Sequence, residues 1–167
     1  KNNNFYSPTF KKKNINIEFV SANPTGPIHV AHMRGAVLGD VLASIYESVG
    51  HKVTKEYYIN DAGSQIKTLG FSLYKRYQEL FNIDVQFSEG EYPGSYLIEI
   101  AKKIKVLDGD KWINNNSKKR EDYFKTYAVD FLILKIKEDL SLININFDVF
   151  TFESKIVKDR FIDKVFL

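Results

Sequence analysis

The chain is expected to adopt an α/β fold organised around a parallel sheet, and three observations lead there. "INIEFV" alternates apolar and polar residues and runs into a Ser/Asn/Pro/Gly cluster, as a strand feeding a loop does. Beyond that cluster apolar residues recur at three-to-four spacing, and "KVTKEYYI" then reads as a second strand followed by a second helical pattern. A strand, helix, strand, helix series closes as a parallel sheet with right-handed crossovers, and a nucleotide would sit at the carboxyl ends of its strands.

Taken in order, residues 1–14, "KNNNFYSPTFKKKN", are polar and basic with one proline and read as a surface lead-in. Residues 15–20 form the first predicted strand. After Pro27, the positions Val30, Met33, Val37, Leu38, Val41, Leu42 and Ile45 predict a helix over residues 28–49 that stops at Gly50. Residues 52–59 are the second strand, and residues 65–81 a helix with Ile66, Leu69, Leu73, Tyr77 and Leu80 on one face. From 82 to about 120 the rhythm loosens: "SEGEYPGSY" is turn-rich, "YLIEIAKKI" is a short amphipathic helix and "NNNSKKR" a solvated loop. Helical spacing returns over 123–142 through Phe124, Tyr127, Phe131, Leu134 and Ile136, and "FDVFTF" at 147–152 reads as a strand. The expected division is therefore a lead-in (1–14), the first half of a nucleotide-binding domain (15–81), and an insertion with an incomplete return to the sheet (82–167).

Composition bounds the chemistry. With 167 residues and 44% hydrophobic content the chain can bury a core. Its 24 basic and 21 acidic residues leave a net charge of only +3, so a nucleic-acid partner would be met by local patches. The absence of cysteine excludes disulfides and thiolate catalysis and fits a reducing compartment. No apolar run approaches the ~20 residues of a membrane span and no signal peptide is visible, so a cytoplasmic location without membrane attachment is expected. A first residue that is lysine, and an end inside the apolar rhythm "DRFIDKVFL", suggest a piece of a larger protein.

Two of the three histidines stand in "SANPTGPIHVAHMRGAVLGD", at the mouth of the first helix. A helix N-terminus presents unpaired N–H groups and the positive end of its dipole, which favours a phosphate there. His29 and His32, three residues apart, share a face and can aim imidazole N–H donors at one ligand. Such a site would accelerate phosphoryl chemistry by preorganised electrostatics, with no nucleophile or base asked of the protein. Spacing alone leaves two other readings open: a pair of incidental surface histidines, or a zinc pair whose remaining ligands the sequence does not supply.

The run "IEFVSANPTGPIHVAHMRGAVLGDVLASIYESVGHKVTKEYYINDAGSQI" resembles the start of the catalytic domain of the arginyl-tRNA synthetases, which are class I aminoacyl-tRNA synthetases. "EYPGSYLIEIAKKI" is similar to that family's connective insertion, and "FDVFTFESKI" to the stretch after it. The resemblance implies a Rossmann-like parallel sheet interrupted by an α-rich connective insertion. It also implies activation of arginine by ATP to arginyl-adenylate, with transfer to tRNA(Arg). ATP is then a substrate, accompanied by Mg2+, with no metal ligated tightly by the protein, and the full-length form would be a monomer.

By the same resemblance His29 and His32 hold the outer places of the His-x-Gly-His signature and stabilise the triphosphate and the pentacoordinate α-phosphate. Ala31 fills the third place, where the family has a glycine that lets adenine lie close to the backbone. Glu18, Ser21 and Asn23 match positions lining the arginine pocket, the carboxylate pairing with guanidinium and the other two holding the amino-acid head group. Asn60 and Asp61 fall at the active-site rim, although either residue is also an ordinary helix N-cap. Glycine at position 26 goes with family members that keep a Lys-Met-Ser-Lys-Ser loop, which is expected downstream. Gly35 and Gly39, four apart, suggest close helix packing, while Arg34 and Asp40 receive no chemistry. The basic clusters 11–13 and 118–120 read as solvated faces that could touch tRNA phosphates. Competing readings are another class I synthetase or nucleotidyltransferase, and a non-catalytic RNA-binding paralogue. Residues 1–167 alone are expected not to aminoacylate.

Overall fold

The computed structural model describes residues 11–115, 117–160 and 165; most of the lead-in, Asn116 and most of the final apolar stretch lie outside the described residues. The elements are β1 (Asn14–Glu18), α1 (Val30–Ser48), β2 (Lys52–Ile59), α2 (Gly63–Glu79), α3 (Tyr96–Asp108), α4 (Lys118–Leu142), β3 (Val149–Phe152) and α5 (Glu153–Lys158). The three strands form one sheet in the order β1-β2-β3, with both pairings parallel, as the alternating strand and helix patterns require. Its register sets Glu18 beside Glu56 and Tyr57 beside Phe150.

The chain divides into two units. The first, residues 1–22, 28–60 and 138–167, holds the sheet and α1. β2 turns Tyr57 and Ile59 into its core, both 1% exposed, in keeping with the period-two alternation of "EYYI". α1 ends where Gly50, at φ 93°, enters the left-handed region and returns its N–H to the Glu47 carbonyl.

The face that α1 buries is not the expected one. Ala36, Gly39 and Ala43 are its buried residues, whereas Val30, Val37, Leu38, Val41, Leu42 and Ile45 are exposed. The cause is steric: a Cβ on Gly39 would stand 2.2 Å from the Phe19 ring, so only a stripe of the smallest side chains brings the helix down onto that ring. Gly35 has nothing within 4 Å of a built Cβ, so close packing belongs to Gly39 and not to the pair.

The second unit, residues 23–27 and 61–137, contains α2, α3 and most of α4. Ile66, Leu69, Leu73 and Tyr77 form the buried stripe of α2, as their spacing predicts. They share a core with Leu97, Ile104, Phe124 and Trp112. Gly70 allows α2 to cross α4 closely, since a Cβ there would lie 2.8 Å from the Lys125 backbone. α4 begins at Lys118, so the basic cluster expected in a loop is its first turn; the Ser117 hydroxyl accepts the Arg120 N–H at 3.4 Å and starts the helix. Leu134, expected on the apolar face, is exposed, because the buried stripe runs through Phe124, Ala128, Leu132 and Ile136. Among the described residues no helix is long and apolar enough to cross a membrane.

Candidate functional site

In the first unit, β1 ends at Glu18, an exposed residue in register with Glu56 of β2. Paired positions of parallel strands project on the same face, so two carboxylates stand side by side at the carboxyl end of β1 and midway along β2. Glu56 is anchored from both sides, accepting from Asn16 Nδ2 on β1 and from Thr151 Oγ1 on β3. Those bonds, Thr151 first, hold its carboxyl below the usual glutamate range against an opposing effect of burial.

The chain then turns through Val20 at φ 65° and Ser21 at φ 41°, a left-handed conformation that costs non-glycine residues about 1–3 kcal/mol each. β2 holds this turn in place. The Tyr58 N–H donates to Ser21 Oγ at 3.0 Å, and the Tyr57 hydroxyl donates to the Ala22 carbonyl at 2.9 Å. Burial pushes the Tyr57 phenol up to about 12, against the smaller opposing effect of its bond to Ala22. Ser21 thus stands at the site with its oxygen already engaged by backbone.

His29 is the N-cap of α1, in extended conformation, and the helix carries no acidic residue in its first turn to neutralise its positive end. The rings of His29 and His32 stack with centroids 3.8 Å apart at 22°. The His29 N–H donates to His32 Nδ1 at 3.3 Å. A neutral imidazole that accepts at Nδ1 carries its proton on Nε2, so His32 presents an Nε2–H donor. Burial, and then the neighbouring His29, lower the His32 pKa. Ala31 lies in the first turn of the helix and is solvent-exposed.

In the second unit, Asn23 Nδ2 donates to Gln65 Oε1 at 3.0 Å, tying the residue to the first turn of α2. The Tyr96 hydroxyl donates to the Thr25 carbonyl, and the same ring would lie 3.6 Å from a Cβ on Gly26. The N-cap of α2 is Ala62, with no side-chain cap, so neither Asn60 nor Asp61 caps that helix. Asp61 instead faces Asp130, whose carboxyl is raised by burial and then by the Asp61 charge. Asn60 closes the chain segment of the first unit and Asp61 opens that of the second.

Tyr57 and Gln65, which no sequence pattern singles out, position these groups, Tyr57 through the Ala22 carbonyl and Gln65 through Asn23, while Glu56 stands in register with Glu18. Among the described residues no group of three or more His, Asp or Glu side chains is clustered to hold a metal ion.

A parallel sheet whose first crossover helix opens on paired histidines has the architecture of a class I synthetase catalytic domain. A solved Campylobacter jejuni structure assigned as an arginyl-tRNA synthetase matches 88% of the chain at a TM-score of 0.78 and 34% identity, over 32% of its own length. The Thermus thermophilus arginyl-tRNA synthetase shares the fold at a TM-score of 0.57 and 21% identity, over 95% of this chain and 26% of that one. Residues 1–165 match the family described as tRNA synthetases class I (R), catalytic domain, and the chain belongs to it. The arginine-tRNA ligase of Ehrlichia ruminantium (strain Gardel) is 45% identical over 152 residues, and that of Rickettsia bellii (strain OSU 85-389) 46% identical over 154. The matches cover 91% and 92% of this chain, which spans only 26% and 27% of those relatives.

Proposed function

We propose that the full-length protein is an arginine-tRNA ligase that activates arginine with ATP and transfers it to tRNA(Arg). The observation that carries this reading is the stacked pair His29 and His32 at the N-terminus of α1, whose first turn holds no acidic residue, in a chain of this family. An arginine carboxylate oxygen attacks the α-phosphorus of ATP, the bond to the bridging oxygen breaks, and pyrophosphate leaves. The His32 Nε2–H, His29 and the first N–H groups of α1 bind phosphate oxygens as charge builds on them, a preorganised electrostatic contribution needing no protein base. A ribose hydroxyl at the tRNA end then displaces AMP from the adenylate.

Ala31 lines the ATP site in this reading. Glu18 pairs with the guanidinium, with Glu56 beside it, while Ser21 and Asn23 meet the amino-acid head group and Asn60 and Asp61 form the rim. Mg2+ would accompany ATP as part of the substrate. Residues 15–81 supply the first half of the ATP-binding domain, and 82–167 the connective insertion and the start of the return to the sheet. We place the protein in the cytoplasm as a monomer, with a Lys-Met-Ser-Lys-Ser loop downstream.

Arginylation of tRNA by the full-length polypeptide, with tRNA present throughout, tests the reading. His29→Ala and His32→Ala should each lower the rate by about 100-fold or more, the range set by removing one transition-state donor. Normal rates in both variants would exclude the assigned mechanism. A folded wild type without arginylation would favour the RNA-binding paralogue. Residues 1–167 alone should not aminoacylate.

A further inference from the structure

Residues 23–27 are separated in sequence from the rest of the second unit, yet side chains from two of its helices hold them. The Thr25 N–H turns back on the Asn23 carbonyl at 2.8 Å, Pro24 between them is buried, and the Thr25 carbonyl accepts from the Tyr96 hydroxyl at the start of α3. Pro24 and Pro27 have φ fixed by their rings, which lowers the freedom of the segment further. Its backbone is thereby set, and the exposed side chain of Asn23 is what remains to be oriented.

Gln65 orients it: Asn23 Nδ2 donates to Gln65 Oε1 at 3.0 Å, between residues 42 apart in sequence. Gln65 occupies the third position of α2, where a glutamine ordinarily reaches back to the N-cap N–H and completes a capping box. Its Oε1 goes to Asn23 instead, and α2 carries no side-chain cap hydrogen bond. Both residues are exposed, where a hydrogen bond adds little to folding. What the bond supplies is direction. With Nδ2 turned to Gln65, the Asn23 amide is left with Oδ1 as its acceptor, and that oxygen has no partner among the described residues.

Resting on the head-group reading of Asn23, we propose that Gln65 is a positioning residue for recognition of the arginine α-ammonium: by holding Nδ2 it commits Oδ1 to the substrate. In the head group of an amino acid the carboxylate only accepts and the ammonium only donates, so an acceptor fixed at Asn23 fits the ammonium. A compound with the guanidinium and the carboxylate but no α-ammonium has nothing to offer that oxygen. The contact forms in the ground state and persists in the transition state, so it acts on the arginine KM and not on kcat.

Steady-state arginylation by the full-length polypeptide, with tRNA present throughout and arginine varied, tests the proposal. Gln65→Met keeps the length of the side chain and removes the acceptor; it should raise the arginine KM about three- to tenfold, with kcat and the ATP KM unchanged. Gln65→Glu, which restores an acceptor at the same reach, should bring the KM back towards wild type. Asn23→Ala should raise the arginine KM at least as far, and the double variant Asn23→Ala/Gln65→Met should be no worse than Asn23→Ala alone. Inhibition by δ-guanidinovaleric acid, which is arginine without its α-amino group, should be equal in wild type and Gln65→Met. A normal arginine KM in Gln65→Met beside a raised one in Asn23→Ala would overturn the positioning role and leave the head-group reading of Asn23 standing. An unchanged KM in Asn23→Ala would overturn both. Equal weakening of arginine and δ-guanidinovaleric acid in Gln65→Met would reduce Gln65 to a structural residue and overturn the proposal.

Discussion

The backbone N–H of His29 donates to Nδ1 of His32 across the first turn of α1, and the two rings stack 3.8 Å apart. One bond thereby selects the tautomer of His32 and directs its remaining N–H outward.

His32 should titrate below the ordinary imidazole value of about 6.5. A depressed imidazole pKa means that the unfolded chain binds the proton more readily. The associated stability is therefore present above pH 6.5 and is lost as pH falls through the folded value. In His29→Ala the repulsive contribution disappears, and the His32 midpoint should rise. Imidazole NMR titration of both proteins checks this; an unchanged midpoint would rule out coupling between the rings.

Glu56 behaves as a depressed carboxylate, so its contribution is present above the unfolded glutamate pKa and fades as pH falls through the folded value. Glu56→Gln should flatten the acid limb of a stability-against-pH curve measured by urea unfolding. The same acid limb in both proteins would mean that the bonds from Asn16 and Thr151 contribute nothing.

Tyr57→Phe removes the hydroxyl that holds the Ala22 carbonyl and should cost about 1–1.5 kcal/mol in denaturant unfolding. The phenol pKa is raised, so its contribution holds below about pH 10 and is lost as pH climbs through about 12. The variant should lose one tyrosine from the latest phase of an alkaline absorbance titration.

Two helix glycines should respond in opposite senses. Gly39→Ala drives a methyl into the Phe19 ring and should destabilise by about 1–3 kcal/mol. Gly35→Ala meets open space in a helix interior and should stabilise by about 0.5–1 kcal/mol. Thermal unfolding of the two variants distinguishes them directly.

Much of the fold was legible in local pattern. β2 coincides with its predicted range, "KVTKEYYI", and its last four residues alternate in burial between the two faces. The stripe through Ile66, Leu69, Leu73 and Tyr77 likewise identified both α2 and its buried side. α1 was legible as a helix but not in its packing, because periodicity marks where apolar residues lie and says nothing of how near a neighbouring ring must come. The spacing of His29 and His32 put them on one face of α1 and left their role open. The place of Glu56 beside Glu18 and the hold of Tyr57 on the Ala22 carbonyl were not legible there, since they depend on strand register and on a turn brought against β2.

Sequence by itself determined the order of strands and helices, the helix N-terminus carrying His29 and His32, and the family, because each rests on residues close together in the chain. Tertiary structure decided which face of α1 is buried, how Val20 and Ser21 are held in left-handed conformation, and that Gln65 meets Asn23. The physical reason is that close packing and hydrogen-bond geometry act between residues far apart in sequence, where no local pattern records the distance.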